Sequence, residues 1–189
     1  SKMVQIAPSL FDVRESELVT AIKSIPNADI LHIDVADPTF VETADGNASL
    51  FYRFPELLDR ITDVTNIPMD VHLMVSDPLR EIDNYNRKGV ETITFHYETD
   101  SDPLKVIEAI RIREKSPGIA VNPATPVDDI SPLVPNVDQI LLMSVVPGMG
   151  GQGFIDISSK IAQLRHFIDE RKLDVKIEVD GGIKVDNAY

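Results

Sequence analysis

The chain contains no cysteine. Disulfides and thiolate nucleophiles are therefore excluded, and the composition fits a reducing compartment, taken here as the cytoplasm. No apolar run approaches the roughly 20 residues of a membrane span. The N-terminal SKMVQIAPSL lacks signal-peptide organisation. Positive charge is scarce: 18 Lys and Arg stand against 31 Asp and Glu, for a net charge of −13. So acidic a surface repels a phosphate backbone and an anionic bilayer, so neither nucleic acid nor membrane is expected as a partner. A small anionic substrate stays possible, because a few backbone N–H groups can hold a phosphate whatever the global charge. Low-complexity segments and long linkers are also missing. The 189 residues, 43% of them hydrophobic, read as one domain with a substantial core.

What is present is alternation. Short apolar runs predict strands at VQIAPSL (4–10), DILHIDV (29–35), MDVHLMV (69–75), TITFHY (92–97), GIAVN (118–122), QILLMSV (139–145) and VKIEVDG (175–181). Amphipathic stretches lie between them at 15–24, 54–62, 78–88, 103–115 and 157–172. In the last, Ile157, Ile161, Leu164 and Ile168 recur at helical spacing, with Asp156 or Ser158 as the cap. Strand–helix alternation means parallel strands with helical crossovers. An open doubly wound sheet usually carries its phosphate loop after the first strand, yet SLFDVRES has no glycine. The glycine-rich PGMGGQGF follows the sixth strand instead, which favours a (β/α)8 TIM barrel. Only seven strands are counted, and GGIKVDNAY reads as the opening of another helix. Residues 1–189 are therefore expected to form a single α/β barrel domain, C-terminally incomplete, without its eighth strand and helix.

In such a barrel the chemistry sits at the carboxyl ends of the strands. His32 and Asp34 share one face of the second strand, because side chains alternate with period two. Asp70, His72 and Met74 share a face of the third, and Glu178 and Asp180 end the seventh. Two His and two Asp from three strands suit a divalent ion such as Zn, Fe, Mn or Co, although each could also cap its strand separately. Four glycines in six residues let the backbone of PGMGGQGF approach an anion closely; a flexible surface loop is the plainer alternative. His96 reads as a hydrogen-bonded structural histidine and His166 as a surface residue. Acidic residues at 98–102 read as a solvated turn, and Asn122 as either a loop-orienting or a substrate-touching group. Lys176, in the seventh strand, leaves a Schiff-base aldolase as a weaker reading.

Six blocks in order, IAPSL (6–10), HIDVAD (32–37), DVHLMV (70–75), VNPATP (121–126), MSVVPGMGGQGF (143–154) and EVDGGI (178–183), resemble the ribulose-phosphate 3-epimerase family. The resemblance implies a (β/α)8 barrel of carbohydrate metabolism, in the pentose phosphate pathway, acting on a small phosphorylated ketose as a homo-oligomer. It implies one divalent metal ion held by His32, Asp34, His72 and Asp180, with Asp34 and Asp180 as the acid–base pair. Ser9 and His72 match substrate-contacting positions. Met74 and Met143 match methionines lining the reacting centre. Gly148, Gly150, Gly151, Gly181 and Gly182 match phosphate-side positions. Inversion at C3 needs acid–base groups on opposite faces of the substrate and a positive charge beside the oxygen that becomes anionic.

The family pattern H-x-D-x-M-D-G-H-F-V-P-N is altered after strand two. Ala36 stands for its methionine, Pro38 for its glycine, Thr39 for its histidine and Glu42-Thr43 for its Pro-Asn. Proline fixes φ near −65° and has no N–H, so the loop is expected to take another path. Three functions fit: C3 epimerisation of D-ribulose 5-phosphate to D-xylulose 5-phosphate, a hexulose-6-phosphate (allulose-6-phosphate type) 3-epimerase, and a non-catalytic phosphosugar-binding barrel.

Overall fold

A computed structural model of the chain describes residues 4–6, 14–25, 28–39, 48–144, 155–179 and 183–185, with backbone alone at 4–6 and 183–185. Eight strands form one sheet: β1 (Val4–Ile6), β2 (Leu31–Ala36), β3 (Met69–Met74), β4 (Val90–His96), β5 (Ser116–Val121), β6 (Gln139–Leu142), β7 (Lys176–Val179) and β8 (Ile183–Val185). Their spatial order is β1-β8-β7-β6-β5-β4-β3-β2. From β2 to β7 every neighbouring pair is parallel. This curled six-stranded sheet, with its intervening helices, has the architecture of a partial (β/α)8 barrel.

The segment after β7 departs from expectation. Ile183–Val185 is a strand, not the start of a helix, and pairs antiparallel with both β7 and β1. Ile183, Lys184 and Val185 bracket a β-branched-rich triplet that a sheet edge accepts more readily than a helix start. It is thus an eighth strand, but of opposite direction to the parallel one a (β/α)8 barrel uses.

Seven helices are described: α1 (Leu18–Lys23), α2 (Leu50–Arg53), α3 (Leu57–Val64), α4 (Pro78–Glu81), α5 (Pro103–Ile112), α6 (Val127–Ile130) and α7 (Ser158–Glu170). The short α2 and α6 carry too little periodicity to be read from sequence. Prolines at the first turn begin α4 and α5, where Asp77 and Asp102 accept from the N–H groups of Arg80 and Leu104. Asp156 does the same at the start of α7, accepting from Ser158 N at 2.9 Å.

Strand periodicity sorts the side chains. Leu31, Ile33 and Val35 of β2, Met69, Val71 and Leu73 of β3, and Ile93 and Phe95 of β4 join the large core between sheet and helices. The alternate residues form small separate clusters, Ala36 with Met74, and Ala120 with Leu141 and Met143. The parallel register then stacks the polar members across strands. His32 is level with Asp70 and Thr92, and Asp34 with His72, Thr94, Gly118 and Gln139.

Beneath the carboxyl ends lies a polar layer. Gln139 Nε2 donates to Asp70 Oδ2 at 2.8 Å and to Thr94 Oγ1 at 3.1 Å. All three residues are buried, and the pairing offsets their desolvation. Gly118 admits this layer, because a Cβ there would collide with Thr94 Oγ1.

The altered segment after β2 also finds a local explanation. Asp37 N–H donates to Met74 O at 3.1 Å, and its carboxylate accepts from Ser76 N at 2.9 Å. The chain returns at Ser49, whose Oγ accepts from Ala36 N at 2.9 Å and whose N–H donates to Ala36 O at 3.0 Å. The excursion thus leaves and rejoins the end of the same strand, and α2 follows directly. Its middle, residues 40–47, lies outside the described residues.

Candidate active site and metal centre

Period-two alternation on β2 and β3, in register, brings His32, Asp34 and His72 together on one face of the sheet, at the second and fourth positions of six-residue strands. Asp34 Oδ1 lies 2.9 Å from His32 Nε2 and 3.0 Å from His72 Nδ1. One carboxylate oxygen therefore serves two imidazoles. His32 and His72 are 6% and 2% exposed, while the Asp34 side chain keeps 14%.

The far side of each ring is also engaged. His32 Nδ1 faces Glu178 Oε1 at 3.2 Å, and Glu178, on β7, is fully buried. His72 Nε2 lies 2.7 Å from His96 Nε2, with the rings stacked at 4.9 Å. His96 Nδ1 is 3.5 Å from Glu98 Oε1. Glu98 in turn accepts from Asn122 N at 3.1 Å and Thr125 Oγ1 at 2.8 Å.

Ionisation follows from this packing. Burial alone would push His32 down, but the Asp34 and Glu178 carboxylates outweigh it and hold the imidazole well above its ordinary value. Burial would raise Asp34, yet His32 and His72 keep it far below the usual carboxylate range. His96 is pushed down to about 4, first by burial and further by His72, against the pull of Glu98. Asp34 is an anion, and His96 is neutral at physiological pH.

The donor set fits a divalent cation. Ligand atoms from His32, Asp34 and His72 lie within 4.8 Å of one another, two imidazoles and a carboxylate on adjacent strands. A second group of the same kind, His32, Asp70 and Glu178, lies deeper and shares His32 with the first.

The expected site residues thus divide. His32, Asp34 and His72 are brought together. Met74, at the end of β3, and Met143, just after β6, are buried in two separate small clusters. Ser9, Gly148, Gly150, Gly151, Asp180, Gly181 and Gly182 lie outside the described residues. His96 is a buried, hydrogen-bonded histidine as expected, and its partner is His72. Glu98 is not a solvated turn residue but a bridge to the loop after β5. Lys176 is exposed at the opposite end of β7, which removes the basis for a Schiff base there. His166 is a surface residue, with a side chain 80% exposed. Gln139 and Thr94 escaped sequence reasoning, because only the folded sheet brings their side chains to Asp70.

Fold and site together define a (β/α)-barrel protein with a histidine–carboxylate centre on the inward face of its parallel strands. The chain belongs to the ribulose-phosphate 3-epimerase family, whose pattern it matches over residues 5–189, and is an isomerase of the epimerase kind. It is 38% identical to a ribulose-phosphate 3-epimerase of Synechocystis sp., covering 100% of this chain and 81% of that one. Identity to the Mycobacterium bovis protein of the same name is 37%, over 96% of this chain and 76% of that one. For Bacillus subtilis it is 35%, over 98% and 84%. Among solved structures, a mutant tryptophan synthase α-subunit from Pyrococcus furiosus superposes with a TM-score of 0.65 at 12% identity, covering 94% of this chain and 78% of that one. That likeness bears on the fold alone.

Proposed function

We propose that this enzyme interconverts D-ribulose 5-phosphate and D-xylulose 5-phosphate by inversion at C3. Its acid–base pair is Asp34 and Asp180, and a divalent ion (Zn, Fe, Mn or Co) is held by His32, Asp34, His72 and Asp180. The observation that carries the reading is the Asp34 carboxylate gripped by two imidazoles at 2.9 and 3.0 Å on the inward face of the barrel. The bound cation supplies positive charge beside the substrate oxygen that becomes anionic when the C3 proton leaves.

The chain's own groups do the rest. Asp34, ionised, takes the C3 proton from one face of the ketose. Asp180, the residue after β7, returns one to the other face as a carboxylic acid. Met74 and Met143 give the reacting carbon an apolar lining that keeps water away. Gly148, Gly150 and Gly151, with Gly181 and Gly182, offer backbone amides to the phosphate, and Ser9 a hydroxyl to the sugar. Ala36 is fully buried against Met74, and the similar curated proteins are named for the pentulose phosphate, which supports that substrate over a hexulose.

The test is a C3-epimerisation assay on ribulose 5-phosphate and allulose 6-phosphate, with and without chelator, run in parallel in D2O. Chelator-sensitive conversion of the pentulose, with deuterium entering at C3, is expected. Faster turnover of the hexulose replaces the substrate assignment. Ligand-induced thermal stabilisation with no exchange at C3 replaces catalysis with binding.

A further inference from the structure

Resting on the metal reading above, we infer that His96 and Glu98 are positioning residues. They form a relay that fixes the protonation of His72 so that its Nδ1 lone pair faces the cation.

Nδ1 of His72 points to Asp34, and Nε2 points away to His96 Nε2 at 2.7 Å. An imidazole nitrogen that ligates a metal must be unprotonated. With Nδ1 so committed, a neutral His72 carries its proton on Nε2. That proton has His96 Nε2 as its acceptor, so His96 must carry its own proton on Nδ1. Nδ1 of His96 faces Glu98 Oε1 at 3.5 Å. The order of protons is thereby determined along the whole chain, from the metal side of His72 to the Glu98 carboxylate.

Glu98 is itself held, accepting from Asn122 N and Thr125 Oγ1, so the relay ends on the loop after β5 rather than in solvent. His96 is fully buried and His72 nearly so, which shields both rings from bulk solvent. His32 has a one-step equivalent in Glu178, 3.2 Å from its Nδ1. The two ligand imidazoles are therefore oriented from different sides of the barrel, one by a carboxylate directly and one through a second imidazole. Outer partners of ligating histidines raise ligand basicity and lock ring orientation.

The test uses the full chain loaded with zinc or titrated with cobalt. In the zinc-loaded wild type, 15N-histidine spectra should show His72 protonated at Nε2 and His96 at Nδ1. Cobalt affinity, followed by visible absorption, should fall by about 10- to 100-fold in His96→Phe, which has no acceptor. It should recover in part in His96→Gln, which has a carbonyl acceptor. A His96 protonated at Nε2, or equal cobalt affinity in folded His96→Phe and wild type, overturns the relay and leaves the metal reading standing. A wild type that takes up no cobalt overturns the metal reading and the relay with it. If His96→Phe does not fold, the wild-type tautomer spectra decide the matter alone.

Discussion

Asp34 concentrates the consequences at the residue scale. It is an anion because His32 and His72 outweigh its burial, and in the proposed reaction it is both ligand and base. Asp34→Asn preserves shape but cannot take a proton. We expect epimerisation to fall by about 10²–10⁴-fold, the usual worth of a positioned base, or further if the cation is also lost. Unchanged turnover in a folded D34N protein would refute the assignment. Proton release during metal uptake offers a second check. His32 is held protonated by Asp34 and Glu178, yet a ligating imidazole must be neutral. Cation binding near neutral pH should therefore release about one proton, and affinity should rise with pH. Calorimetry in two buffers of different ionisation enthalpy measures this, and a pH-independent affinity would contradict it. The same shifts give a sign for the metal-free protein. The contribution of His32 is complete below its unfolded value of about 6.5 and fades as pH rises through the higher folded one. That of Asp34 is complete above about 4 and is lost as pH falls towards its lower folded value.

Elements matter through the joints that hold the site's strands. Ser49 ties the returning segment to the end of β2, two residues beyond Asp34, through both Oγ and N–H of the one residue. Ser49→Ala strands the buried Ala36 N–H and should cost about 1–3 kcal/mol in denaturant unfolding. At Gly118 the added methyl of alanine meets Thr94 and Gln139, the partners of Asp70. Gly118→Ala should destabilise by about 1–3 kcal/mol, the range for overpacking a filled core. A neutral result in either unfolding curve would mean that the layer relaxes around the change. The strand cores of this scaffold were legible because β2 and β3 alternate apolar with polar residues and β4 is rich in β-branched ones. The short α2 and α6 were not, since four residues complete barely one turn. Ile183–Val185 misled for a related reason: three residues have no period, and their pairing with β1 and β7 decides their state.

For the whole molecule, charge dominates. With net charge −13, long-range repulsion opposes the approach of a phosphorylated sugar, although local amides can still bind it. Raising ionic strength from about 10 to 150 mM shortens the screening length from roughly 30 to 8 Å. The ratio kcat/KM should therefore rise over that range, and a fall would indicate a positively charged entrance. Among the described residues no helix is long and apolar enough to cross a membrane.

The order of blocks from HIDVAD to EVDGGI determined the family, the barrel class and the three central ligand-type residues, because period-two alternation and local motifs are properties of the chain itself. Which partners stand behind those residues was settled only by tertiary structure. Glu178 meets His32 across the sheet, and His96 meets His72 from the neighbouring strand, because register and barrel curvature bring together groups 24 to 146 positions apart in sequence. No local pattern encodes such distances; the packed sheet does.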